Sequence, residues 1–139
     1  MELGRRRNAC EVIERNIFTC SNDIFSLFHP KIADLPHEEF WILFLNNSSR
    51  YIDVQRLSAG GLTGTAADVR IIMKMSVERL ASRIAVCHNH PSGKTTPSSE
   101  DIALTRKIKE GGALLDITLL DHLIIGGGGY YSFADEGRV

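Results

Sequence analysis

Two histidines, His88 and His90, stand two residues apart at the end of an apolar run that finishes with Cys87. In an extended chain, residues i and i+2 point to the same side, so both imidazoles can reach one point in space. Asp101 follows in what should be the first turn of a helix, after a loop punctuated by proline and glycine. The chain must therefore fold with a strand that ends beside the start of a helix.

Two imidazoles and a carboxylate form a zinc-type ligand set that leaves the fourth position for water. Each residue also has a purely structural interpretation, because a strand histidine is usually buried and hydrogen-bonded. Likewise, Ser98 and Asp101 read as Ser-x-x-Asp, a helix capping box. The combination favours a metal site, because the turn and the capped helix would bring His88, His90 and Asp101 to one place.

The order His-x-His, seven residues, Ser, two residues, Asp resembles the JAMM (JAB1/MPN+) metalloprotease signature at His88, His90, Ser98 and Asp101. From about Cys20 to the C-terminus, the sequence is similar to that of the bacterial RadC branch of this family. The supporting matches are His-Asn-His-Pro-Ser-Gly, Leu120-Asp121-His122 and Ser132-Phe133. The resemblance implies a single α/β domain of the JAB/MPN type, a mixed β-sheet with flanking helices and a cytidine-deaminase-like architecture.

The JAMM pattern also has a glutamate at the start of an upstream apolar strand. We assign this role to Glu39, which directly precedes Phe40, whereas Glu38 would point to the other face of the strand. The resemblance implies zinc bound by two histidines and Asp101, with Glu39 as general base and Ser98 donating to the oxyanion. No other cofactor site is predicted.

The resemblance thus implies a zinc-dependent hydrolase that cleaves a peptide or isopeptide bond in a protein or peptide partner. The alternative is a non-catalytic zinc-binding interaction module of a DNA-repair or DNA-processing system. A base deaminase would need His-x-Glu and a later Cys-x-x-Cys, but residue 90 is histidine and the chain contains no such cysteine pair. A metallo-β-lactamase would need His-x-His-x-Asp-His, whereas Pro91 and Ser92 follow here.

Composition limits the partners and the compartment. The 139 residues suffice for one domain with a core, and 43% hydrophobic and 24% charged residues are ordinary globular values. The net charge is −1 and Arg5-Arg6-Arg7 is the only basic cluster, so we expect no strong DNA binding. The three cysteines show no Cys-x-x-Cys spacing, which suits a reducing cytoplasm. Because the sequence also has no long apolar run and no signal-peptide pattern, we predict a soluble cytoplasmic protein.

Residues 1–20 resemble the end of the helix-hairpin-helix domain that precedes this domain in longer family members, and residues 21–139 form the JAB-like domain. We predict one helix that begins at Ser21 and two more over Ala66–Ser82 and Ser98–Glu110, the last of which ends at Gly111-Gly112. The predicted strands are Glu39–Leu45, Arg50–Ser58, Arg83–Cys87, Ile117–Ile125 and Tyr130–Phe133. The run Gly126–Gly129 is predicted to be a hairpin turn. His122 is predicted to be a buried histidine or an outer partner of a ligand, and His29 and His37 to be surface loop residues.

Overall fold

The computed structural model describes residues 16–57 and 67–139, and the bounds below refer to these residues. Three helices and five strands follow in the order α1 (Ser21–Ile32), β1 (Phe40–Leu45), β2 (Tyr51–Leu57), α2 (Val69–Glu78), β3 (Arg83–Asn89), α3 (Ser99–Leu114), β4 (Thr118–Gly126) and β5 (Gly129–Ser132). Each predicted element of the described part of the chain is present, with bounds that shift by a few residues. Most of the predicted N-terminal segment over residues 1–20 lies outside the described residues, as do the predicted strand end at Ser58 and the predicted helix start at Ala66.

The five strands form one mixed sheet in the order β2-β1-β3-β4-β5. Strand β1 pairs antiparallel with both β2 and β3, β3 pairs parallel with β4, and β4 pairs antiparallel with β5. The parallel pair needs a crossover, and helix α3 supplies it. Strand β3 is therefore central, and its carboxyl end lies beside the start of α3.

Apolar side chains cover both faces of the sheet, as expected for strands that read as continuous hydrophobic runs. On one face, Phe40 of β1 and Val86 of β3 belong to a cluster with residues of α2 and α3. On the other face, Leu43 and Cys87 pack with apolar residues of α1. The single α/β domain with flanking helices is thus confirmed, and Cys87 belongs to the core on the face opposite to Phe40 and Val86.

Two local predictions are wrong. Helix α3 does not stop at Gly111-Gly112 but continues to Leu114. At Gly112, an added Cβ would lie 2.3 Å from the carbonyl oxygen of Ile117, so this glycine allows the chain to turn back closely rather than ending the helix. His29 lies within α1 rather than in a loop, whereas His37 is an exposed loop residue as predicted. Within the described residues, no helix has the length and apolarity needed to cross a membrane.

Candidate metal centre

The carboxyl end of β3 and the first turn of α3 bring three predicted ligands together. His88 lies near the end of β3, His90 follows directly after it, and Asp101 occupies the third position of α3. One potential ligand atom from each of the three residues lies within 4.8 Å of the other two. His88 and Asp101 are fully buried and the side chain of His90 is 17% exposed, so the group opens to solvent on the His90 side.

The spacing of these atoms fits tetrahedral zinc. Two ligand atoms bound about 2.0–2.1 Å from one tetrahedral ion lie about 3.3–3.4 Å apart. The Nε2 atoms of His88 and His90 are 3.1 Å apart, and each lies 3.3 Å from a different carboxylate oxygen of Asp101. These separations are close to those of a tetrahedral ligand set, in which both histidines would share one oxygen of Asp101.

Asp101 performs two functions with its two oxygens. Oδ2 accepts a hydrogen bond from the backbone N–H of Ser98 at 2.9 Å, which closes the predicted capping box. Oδ1 is buried and has no hydrogen-bond partner among the described residues. Burial alone would raise the pKa of Asp101, but contacts with His88, His90 and the Ser98 N–H hold this pKa well below its ordinary value. An ionised, buried and unpartnered oxygen is what a cation would satisfy.

His90 is oriented by the loop that follows it. Its Nδ1 lies 3.0 Å from the backbone carbonyl of Lys94, and because a carbonyl can only accept, Nδ1 carries the proton. Contact with Asp101 raises the pKa of His90, and in the neutral form of the ring the lone pair is on Nε2, the atom that faces His88 and Asp101. An added Cβ at Gly126 would lie 2.7 Å from the carbonyl oxygen of Gly93, so the glycine turn permits the close approach of this loop.

The structure does not bring Glu39 to this group. The Glu39 carboxylate accepts hydrogen bonds from Trp41 Nε1 at 3.0 Å and from Arg56 at 3.2 Å, and it lies 3.0 Å from the Nε2 of His37. Burial would raise its pKa, but these partners bring the pKa below its ordinary value. Because side chains alternate along a strand, Glu39 shares the face of Trp41, which is opposite to the ligands.

Strand alternation puts Glu38, rather than Glu39, on the side of the potential ligands. Strand β1 pairs with β3 so that Phe40 lies opposite His88, and the two rings are stacked with centroids 5.9 Å apart. Glu38 precedes Phe40 by two residues and points to the same side. Burial raises the pKa of Glu38, while the charges of His88 and His90 lower it and that of Asp101 raises it. Of the two glutamates, Glu38 is therefore the one whose pKa is affected by the charges of His88, His90 and Asp101.

Asn89, between the two histidines, was not singled out from the sequence. It is 2% exposed, its Oδ1 accepts a hydrogen bond from the backbone N–H of Glu39 at 2.7 Å, and its Nδ2 donates to the carbonyl of His37 at 2.9 Å. These two bonds flank Glu38 and hold its backbone against the end of β3. The only feature of the sequence that could have pointed to Asn89 is its place between His88 and His90, because the side chain there must face away from both histidines.

Ser98 and His122 lie where the sequence predicted. The Oγ of Ser98, the N-cap of α3, accepts the backbone N–H of Asp101 at 3.0 Å and is solvent-exposed beside the group. His122 is fully buried, as predicted, and its Nε2 lies 2.8 Å from the Nδ1 of His88. Burial lowers the pKa of His122 well below its ordinary value, so the ring is neutral.

This combination of a mixed sheet, a His-x-His strand end and a capped aspartate defines a JAB-type domain. Residues 18–138 match the family described as RadC-like JAB domain, and the chain belongs to this family. It is 50% identical over 137 residues to a UPF0758 protein of Flavobacterium johnsoniae and 48% identical over 138 residues to one of Porphyromonas gingivalis. A UPF0758 protein of Listeria monocytogenes is 39% identical over 137 residues.

These alignments cover nearly all of the chain but only part of the relatives. In each case 99% of this chain is aligned, against 60% of the Flavobacterium protein and 61% of the other two. The chain thus spans about three fifths of the length of the curated relatives that it matches. The comparison establishes the type of domain, and the structure shows a group of three residues that could bind a metal ion.

Proposed function

We propose that this domain is a zinc-dependent hydrolase of the JAMM type that cleaves a peptide or isopeptide bond. The observation behind this proposal is the convergence of the Nε2 atoms of His88 and His90 with the carboxylate of Asp101, beside the start of the strand that Glu38 precedes. A carboxylate beside a metal-bound water is the group that a general base requires. The histidines and Asp101 would hold the ion, and Glu38 would act beside it.

Zinc, when bound, would supply the Lewis acidity that lowers the pKa of a water molecule from about 16 to roughly 7. Glu38 accepts the proton of the attacking water at its carboxylate and returns it to the nitrogen of the leaving amine. The Oγ of Ser98 already accepts the N–H of Asp101, so its own proton remains to be donated to the developing oxyanion. Asn89 holds the backbone at Glu38, which limits the positions that the carboxylate can take.

The proposed substrate is a protein or peptide rather than nucleic acid. The net charge of the chain is −1, and a DNA-binding surface would need a concentration of Lys and Arg. In the main alternative, a zinc-binding interaction module, the ion would only hold the fold together. Such a module has no need of a carboxylate on the ligand side of the strand, so the placement of Glu38 by strand alternation favours the hydrolase.

The test is a cleavage screen with two adjacent variants. Zinc-loaded wild type, Glu38→Gln and Glu39→Gln are incubated with a proteome-derived peptide library and with a library of lysine isopeptides, and new amines are detected by mass spectrometry. Glutamine at position 38 keeps the shape of the side chain but cannot accept the proton. Glu39→Gln is the matched control, because it makes the same chemical change on the opposite face of the strand.

We expect cleavage by wild type and by Glu39→Gln, and its loss in Glu38→Gln with one zinc still bound. A zinc-loaded wild type that releases no new amine from either library would contradict the hydrolase and favour the interaction module. Loss of cleavage in Glu39→Gln with retention in Glu38→Gln would return the catalytic role to Glu39.

A further inference from the structure

We infer that Thr105 and His122 are positioning residues that fix the ring tautomer of His88, so that its Nε2 presents a lone pair to the metal. The inference deepens the proposed function, because it rests on His88 being a ligand through Nε2. Neither residue belongs to the ligand group, and the contacts that carry the inference form one continuous chain of hydrogen bonds. That chain begins at the backbone of another ligand, Asp101.

The hydroxyl of Thr105 sets the direction of the chain. Its Oγ1 lies 2.7 Å from the backbone carbonyl oxygen of Asp101, one helical turn earlier in α3. A carbonyl oxygen can only accept and a hydroxyl has one proton, so the Thr105 proton is committed to Asp101. Oγ1 also lies 2.6 Å from the Nδ1 of His122. The proton of this second bond must therefore come from His122.

The position of the proton on His122 then determines the position of the proton on His88. A neutral imidazole with its proton on Nδ1 has a bare Nε2 that can only accept. The Nε2 of His122 lies 2.8 Å from the Nδ1 of His88, so His88 is the donor in this bond. In the neutral form of the His88 ring, the remaining nitrogen, Nε2, is thereby left without a proton. This is the atom that faces Asp101 and His90.

The reverse order of protons is disfavoured by the same distances. If Thr105 donated to His122, its oxygen and the carbonyl oxygen of Asp101 would face each other at 2.7 Å with no proton between them. The His122 ring also cannot turn away to find water. It is fully buried, stacks on Phe133 with centroids 4.8 Å apart and contacts Phe40 edge-on at 5.9 Å. Helix α3 thus carries one ligand and controls the proton of another.

The test combines a measurement of tautomers with zinc affinity. Long-range proton–nitrogen correlation spectra of metal-free protein report which ring nitrogen of His88 and of His122 is protonated. Zinc affinity is measured by competition with a chromophoric chelator for wild type, Thr105→Val, Thr105→Ser and His122→Phe. Valine removes the hydroxyl at nearly constant shape, serine restores it, and phenylalanine keeps the stacked ring but removes both nitrogens.

We expect Nδ1–H on both rings of wild type, a zinc affinity about 10- to 100-fold weaker in Thr105→Val and His122→Phe, and recovery in Thr105→Ser. A proton on Nε2 of His88 in the metal-free wild type would overturn the inference, and this measurement needs no variant to fold. Unchanged zinc affinity in Thr105→Val would also overturn it. A wild type with both tautomers as stated but no affinity for zinc would instead reject the proposed function.

Discussion

The side-chain oxygen of Asn89 accepts a hydrogen bond from the backbone N–H of Glu39 at 2.7 Å. The amide nitrogen of the same side chain donates to the carbonyl of His37 at 2.9 Å. The intervening residue, Glu38, is thereby tied to the strand that ends at the ligands. Asn89 lies between two ligands in the sequence, yet its contacts serve the proposed base.

Replacing Asn89 by alanine should separate the two parts of the site. We expect zinc affinity to be retained, because none of the ligand contacts involves this side chain, and hydrolysis to fall about 10²-fold, the cost of a misplacement of roughly 1 Å. Chelator competition and the rate of cleavage measure the two quantities. Equal loss of both would show that Asn89 supports the ligands instead of Glu38.

Asp101→Asn should abolish zinc binding without unfolding the helix start. The asparagine Oδ1 can still accept the Ser98 N–H, so the capping box is preserved, whereas the anionic ligand is lost. We expect an unfolding temperature near that of metal-free wild type and a loss of zinc affinity greater than the roughly 100-fold typical of an outer partner. Asp101→Ala, which removes the cap as well, should also lose about 1 kcal/mol of stability. Wild-type zinc affinity in Asp101→Asn would remove Asp101 from the ligand set.

Gly126→Ala should weaken zinc binding from a distance. The added Cβ would lie 2.7 Å from the carbonyl oxygen of Gly93 and 2.9 Å from that of Lys94, the acceptor that orients His90. We expect a loss of about 1–3 kcal/mol in the free energy of unfolding, together with weaker zinc binding. Gly129→Ala is the control, because an added Cβ there meets nothing within 4 Å. Equal effects of the two variants in denaturant titrations would contradict this account of the turn.

Glu39 should contribute to stability in a pH-dependent way. Its folded-state pKa is depressed below the usual 4.5, so its contribution is present above that pH and is lost as the pH falls through the folded-state value. Glu39→Gln should therefore lower the free energy of unfolding at pH 7 by about 1–2 kcal/mol, through weaker bonds to Arg56 and His37. The difference from wild type should shrink below about pH 4. A difference that is constant from pH 7 to pH 3 would contradict the assignment.

Much of the fold, and the convergence of His88, His90 and Asp101, could be predicted from local pattern. Strict spacing placed His88, His90 and Asp101, and the capping signal placed the start of α3, because each depends on geometry within one element. The choice between Glu38 and Glu39 could not be made in this way. Strand β1 is buried on both faces, so its sequence shows no alternation, and only the pairing of Phe40 with His88 fixes which side each glutamate takes.

The positioning residues were missed for a related reason. Thr105 reads as an ordinary helix residue, and its importance depends on the parallel pairing that places His122 on β4 beside His88 on β3. The end of α3 was misjudged because Gly112 is required by a tertiary contact with Ile117 and not by the helix itself. Contacts between distant segments decide all of these positions, and a single sequence does not display them.

X-ray absorption at the zinc edge of the zinc-loaded protein would show whether His88, His90 and Asp101 bind one zinc ion. We predict one zinc per chain with two imidazole nitrogens and oxygen ligands at about 2.0–2.2 Å, and loss of the imidazole signal in His88→Ala. Cys87 points into the opposite core, so no sulfur should be seen. A sulfur ligand at about 2.3 Å, or zinc bound equally well by His88→Ala, would contradict the account.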